Sequence, residues 1–322
     1  MERIAILCSG GDSQGMNTCI KAFVNTCTAR NIIPIGVQRG FQGLIDDDFI
    51  FLNNEMVDNI DGLGGSILKV SRSSEFRTPI GLDKAVHNLK KNKIDGLVVI
   101  GGNGSLNGGC NLVLKGVSLV AIPGTIDNDL FYTERSLGFD SAVNNAVKAI
   151  DDIMQSISSN NRGFVIEVMG RNCGDIALYS ALGSGAHSLA CAELNTSLQD
   201  IVHDVKHALD NGVKSPVVVI SENCDFSVKD VEKMINTNLN LETRSTVLGY
   251  IQRGGSPSIY DRILAIQFGI EAVTSLLNGK SGIALGVKDN KVQSFNLLEA
   301  VKVEQNFNFD LYKKLKALHN LW

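Results

Sequence analysis

Short apolar runs that stop at a turn, each followed by a longer stretch of helical spacing, recur along this chain and limit it to few architectures. The runs read RIAILC (3–8), IIPIGV (32–37), IDGLVVI (94–100), VSLVAI (117–122), FVIEVM (164–169), VVVIS (217–221) and GIALGV (282–287). Helical spacing fills about 15–30, 81–92, 139–157, 198–211, 227–238 and 258–277. Strands alternating with helices build βαβ units, so the expectation is an α/β fold with parallel sheets. Three of the strand-turn units end at Gly10-Gly11, Gly101-Gly102 and Gly170. In open parallel sheets ligands sit beyond the carboxyl ends of strands, which is where such turns fall.

The 322 residues leave room for two medium domains. With five prolines and no low-complexity linker, no domain break is visible in composition. The formal net charge is −4, so no global basic field invites nucleic acid or an anionic membrane. Any phosphate must be held by local arginines. Seven scattered cysteines without a CxxC pair fit reduced thiols. The first residues, MERIAILC, lack a signal-peptide layout, and no apolar stretch approaches a membrane span. The expected location is cytoplasmic.

Four constellations could carry chemistry. CSGGDSQGMN (8–17) follows the first strand and suits a phosphate turn, although it lacks the GKS ending of a P-loop. It reads equally well as a tight connection in which Asp12 or Ser13 caps the next helix. GGNGSLNGG (101–109) is a second such turn, in which Ser105 could cap a helix or bind phosphate. PGTIDND (123–129) sets Asp127 and Asp129 two apart, which in an extended stretch aims both carboxylates to one face. Paired carboxylates suit proton acceptance from a hydroxyl or binding of a divalent metal; alone, the same residues could form a solvated Asx-turn. Finally, Arg162, Arg171, Arg244 and Arg253 lie in glycine-containing stretches, as phosphate recognition by guanidinium forks requires. Glu222, after the run 217–221, could bond sugar hydroxyls. Together these point to an enzyme of phosphorylated small molecules, by phosphoryl transfer.

SGGD-x-x-GMN, GGSILKVSR-x-x-EFR, GG-x-GS, PGTIDND, EVMGR-x-CGD, ETR-x-TVLG-x-IQRGGSP and YDRILA occur in this order over nearly the whole chain. The set resembles bacterial-type ATP-dependent 6-phosphofructokinases. The resemblance implies two Rossmann-like three-layer α/β/α domains with mainly parallel sheets and chain crossovers. The larger, ATP-binding one would span 1–138 with about 256–300, and the smaller, sugar-phosphate-binding one 139–255 with about 301–322. It implies transfer of the γ-phosphoryl of MgATP to O1 of fructose 6-phosphate, with Mg²⁺ as cofactor. Assembly would be a homotetramer with active sites between subunits, or a hetero-oligomer with a second phosphofructokinase chain.

By the same resemblance, Gly11, Arg72, Ser73, Gly102, Asn103, Gly104, Ser105 and Gly108 line the ATP site. Asp127 is the base, with Thr125 beside it, and Asp129 stands near the metal. Arg171 and Arg72 stabilise the transition state. Met169, Gly170, Arg171 and Glu222 hold the sugar, while Arg253 and Tyr250 grip the 6-phosphate. Arg162 and Arg244 reach in from a neighbouring subunit. Gly104 and Gly124 stand where pyrophosphate-dependent relatives carry Asp and Lys, which favours ATP as donor.

The chain departs from that pattern in several places. Asn103 replaces the carboxylate that supports Mg²⁺, Tyr250 replaces a histidine, and Gln14 replaces a proline. The positions that match the family's effector site read Lys21, Asn25, Asn54, Met154, His187, Asn211 and Val213, with Lys214 nearby, and have lost most of their positive charge. Two further readings therefore stay open: a catalytically weak paralogue acting as a regulatory or structural subunit, and a pyrophosphate-dependent enzyme.

Overall fold

The computed structural model describes residues 1–304 and 307–320. It divides into two compact units, Met1–Ser141 with Arg253–Gln305, and Ala142–Gln252 with Asn306–Trp322.

Unit 1 is built on a seven-stranded sheet. Its strands are β1 (Arg3–Ser9), β2 (Ile33–Val37), β3 (Phe49–Phe51), β4 (Gly96–Gly101), β5 (Leu119–Pro123), β10 (Ile283–Lys288) and β11 (Lys291–Asn296). They lie in the order β11-β10-β5-β4-β1-β2-β3. The interior pairs are parallel, and only the edge pairs β2–β3 and β10–β11 are antiparallel. Helices cover both faces. Even-numbered Ile4, Ile6, Val98, Ile100, Val120 and Ile122 pack with α1 (Met16–Ala29) and α9 (Ile259–Leu277). Odd-numbered Ala5, Leu7, Leu97, Val99, Leu119 and Ala121 pack with α2 (Gly40–Asp46), α3 (Pro79–Lys91), α4 (Asn103–Leu114) and the short α10 (Leu297–Ala300). A strand between two cores has no polar side, which explains the unbroken apolar runs. Each fully buried Ile, Leu or Val contributes about 1.5–3 kcal/mol.

Unit 2 carries four parallel strands, β6 (Gly163–Val168), β7 (Ser188–Ala190), β8 (Val217–Ser221) and β9 (Thr243–Val247), in the order β7-β8-β6-β9. Its helices are α5 (Phe139–Ile157, shared at its first turn with unit 1), α6 (Asp175–Ser184), α7 (Leu198–Asp210), α8 (Val228–Leu239) and α11 (Phe309–Asn320). Val165, Val218 and Ile220 meet Ile201 and Val205 of α7 and Val231 and Ile235 of α8 in one core. Ser197 and Ser227 each close a reciprocal capping box with the Asp three residues on.

Three local expectations fail. Neither Asp12 nor Ser13 caps α1; its N-cap is Gly15 at φ 92°, with no side-chain cap. Ser105 is not a cap either, because α4 already starts at Asn103 behind Gly102. The stretch 124–130 is not extended. Asn128 sits at φ 54°, so strand alternation does not govern Asp127 and Asp129.

Candidate active site

In unit 1 the chain goes from β1 outward to β2 and β3 on one side, and to β4 and β5 on the other. The order reverses between β1 and β4, and a crevice opens where order reverses. Gly10-Gly11 and Gly101-Gly102 follow those two strands. Gly11 brings its backbone against an arginine: a Cβ there would lie 2.5 Å from Nη1 of Arg253. That guanidinium also stands 3.6 Å from Asp12 Oδ1, with the Arg253 side chain 15% exposed. Arg253 thus lies at the first glycine turn.

Beyond β4, Ser105 is buried, and its Oγ packs on the Cα of Gly101. Gly104 faces open space. Asn103 is committed locally: its Oδ1 accepts a hydrogen bond from Asn107 Nδ2 at 2.7 Å. Gly108 admits the stacked rings of Phe41 and Phe76, whose centroids are 4.1 Å apart. Ser73 donates to Gln42 Oε1 and accepts the Phe76 N–H, fixing that segment, while Arg72 is exposed.

Beyond β5, Gly124 N–H donates to the Gly101 carbonyl, and Thr125 packs beside Gly102. Thr125 Oγ1 accepts the Asp127 N–H at 3.2 Å. Asn128 takes the left-handed conformation that Asn tolerates, and its Oδ1 accepts from the N–H and Oγ of Ser136. These bonds define the turn that presents Asp127, 1% exposed, and the half-buried Asp129.

In unit 2, Met169-Gly170-Arg171 follows β6 and Glu222 follows β8, the neighbouring strand. Glu222 Oε1 accepts the N–H groups of Gly170 (3.1 Å) and Arg171 (2.7 Å). Gly170 at φ 145° and Arg171 at φ 52° occupy backbone regions costly for ordinary residues, and Glu222 holds both there. Burial and the adjacent Glu222 push the Glu167 carboxyl upward. Gly174 N–H donates to Glu193 Oε1 at 2.7 Å, closing the far end of the same loop. Glu242 holds two arginines at once, Arg162 through Oε2 (3.0 Å) and Arg244 through Oε1 (2.7 Å). Tyr250 is 81% exposed.

Sequence reasoning missed Gln252, Glu193, Glu242, Asn107 and the Phe41–Phe76 pair. Gln252 lies inside IQRGGSP but offers no chemistry of its own. Asn107, Glu242 and Phe76 also lie inside quoted motifs, but what they do depends on pairing with Asn103, with Arg162 and Arg244, and with Phe41, which residue type alone does not reveal; Glu193 stands in an unremarked stretch. No cluster of three or more His, Cys, Asp or Glu able to hold a metal occurs among the described residues. Nor is any described helix long and apolar enough to cross a membrane.

Glycine turns at a switch point, carboxylates beside them and paired guanidiniums define an α/β protein suited to phosphorylated ligands. The phosphofructokinase family model matches residues 3–276, and the chain belongs to that family. It is 42% identical over 318 residues, 99% of both chains, to the ATP-dependent 6-phosphofructokinase of Clostridium tetani. The same identity and coverage relate it to the enzyme of that name from Clostridioides difficile. Among solved structures it matches phosphofructokinase from Saccharomyces cerevisiae with a TM-score of 0.88 at 30% identity, covering 94% of this chain and 45% of the yeast chain.

Proposed function

We propose that this chain transfers the γ-phosphoryl group of ATP to O1 of fructose 6-phosphate. The observation that carries this reading is the buried Asp127 in the turn after β5, beside the glycine turns of β1 and β4. The O1 hydroxyl attacks the γ-phosphorus and gives its proton to the Asp127 carboxylate. The bond from that phosphorus to the bridging oxygen breaks, and ADP leaves. In such a transfer the protein mainly positions groups and neutralises developing charge. Backbone N–H groups at 102–104 cradle phosphate, and Arg72 and Arg171 supply positive charge. Met169, Gly170, Arg171 and Glu222 hold the sugar. Arg253 and Tyr250 take its 6-phosphate, and Glu242 presents Arg162 and Arg244 as a pair to a neighbouring copy in a homotetramer.

The donor set fits Mg²⁺. Hard carboxylate oxygens stand at Asp127 and Asp129, and Mg²⁺ that arrives on a nucleotide needs one or two such groups rather than an all-protein cage. Bound there, the ion would offset the negative charge of the phosphate oxygens. Asn103 would offer the ion only an uncharged oxygen, which also accepts from Asn107, so the charged support would fall mainly on Asp129.

The test is Asp127→Ser. Removing the base should lower kcat by about 10²-fold or more while the KM for fructose 6-phosphate stays near its original value. A variant with full turnover contradicts the assignment.

A further inference from the structure

Gln252 is wholly buried, and its amide joins two segments that the proposed function gives to the sugar phosphate. Its Oε1 accepts the backbone N–H of Met169 at 3.2 Å. Its Nε2 donates to the carbonyl of Gly249, one residue before Tyr250, at 3.0 Å. Gly249–Gln252 is a single short turn following β9, and Met169 opens the loop following β6. One amide thus fixes both segments. Glutamate could accept from Met169, but its charge would face the Gly249 carbonyl. Methionine, of similar length, would satisfy neither group, and a buried polar group left unpaired is costly.

The loop that Gln252 anchors is held in an unfavourable form. Gly170 and Arg171 both lie at positive φ, kept there by the Glu222 carboxylate at 3.1 and 2.7 Å. Met169 is the residue before this pair, so its N–H sets where the loop leaves the strand. We infer that Gln252 is a positioning residue for the acceptor substrate: it holds the Met169–Arg171 loop and the Gly249–Gln252 turn in register for fructose 6-phosphate. The inference rests on the proposed function and adds to it a residue that touches no substrate.

The experiment measures both substrate KM values and kcat in wild type, Gln252→Met and Gln252→Glu, with thermal midpoints for all three. Gln252→Met should raise the KM for fructose 6-phosphate about tenfold or more and leave that for MgATP within twofold. If Gln252→Met fails to fold, Gln252→Glu carries the test through its pH profile. Protonation restores a donor to Gly249, so its KM for fructose 6-phosphate should fall as pH is lowered from 8 to 6, relative to wild type. A general loss of folding would move both KM values or neither, and would not follow pH. An active wild type whose variants keep the KM for fructose 6-phosphate within twofold, with no difference in pH profile, overturns the inference alone. A wild type that does not phosphorylate fructose 6-phosphate overturns the functional reading, and this inference with it.

Discussion

Asn103 stands where the family's glycine turn carries a carboxylate, and its side chain is turned to Asn107 rather than held out as an anion. Loss of one unit charge about 4 Å from the ion forfeits up to roughly 4 kcal/mol per unit of cation charge at an effective dielectric near 20, before desolvation offsets it. Binding of the sugar phosphate should change little, because the turn's N–H groups remain. Asn103→Asp should therefore raise kcat with MgATP or lower the Mg²⁺ concentration for half-maximal rate, read from a Mg²⁺ titration of both proteins. Identical titrations would mean that Asp129 suffices. The substitution itself was legible in the sequence; its partner was not, since an i, i+4 amide pair needs the helix to start at Asn103 rather than later.

Among the elements, α9 is fastened at its start by a buried acid. Asp261 accepts hydrogen bonds from the N–H groups of Gly138 and Ser141 and from Ser141 Oγ, while Ser258 caps the helix. Burial pushes its carboxyl up from 3.8 to about 6, despite those hydrogen bonds, which act the other way. A group raised in the folded state gives stability that is full below its unfolded pKa and fades as pH climbs through the folded one. The advantage of wild type over Asp261→Asn in unfolding free energy should therefore shrink by about 2.5 kcal/mol between pH 3.8 and 7. Urea unfolding of both proteins across that range measures it, and a difference that stays flat would show that Asp261 does not titrate in the window. The elements with two apolar faces, such as 94–100 and 117–122, were the ones readable in advance. β3 and β7 have three residues each, and β9 reads TRSTV with one fully buried residue, Thr243. Strands this short or this polar carry no pattern of their own; their neighbours create them.

At the scale of the whole molecule, both sheets place their glycine turns and acids at carboxyl ends of strands, and that much followed from the runs and turns in the sequence. The contacts that hold the loops within each unit did not. Glu222 to Gly170, Gln252 to Met169 and Arg253 to Gly11 are contacts between residues 52, 83 and 242 positions apart, invisible to local spacing. The effector positions extend the same point. Lys21, one of the few cations left among them, is already paired within its own unit to Asp61 at 2.6 Å. A diphosphate or phosphoenolpyruvate needs several charge-assisted hydrogen bonds. Neither ADP nor phosphoenolpyruvate should shift the half-saturating fructose 6-phosphate concentration by as much as tenfold. A larger shift in a titration at sub-saturating substrate would mean that other cations serve the site.

The account stands most directly on the identity of donor and acceptor. Gly104 opens onto free space, whereas a Cβ at Gly124 would lie 2.7 Å from the Ile100 side chain, so the Lys of pyrophosphate-dependent relatives has no room here. A coupled assay for fructose 1,6-bisphosphate, run on the purified chain with fructose 6-phosphate and either MgATP or magnesium pyrophosphate, decides the matter. Product should form with ATP and stay at background with pyrophosphate. Turnover with pyrophosphate alone, or with neither donor, would contradict the account.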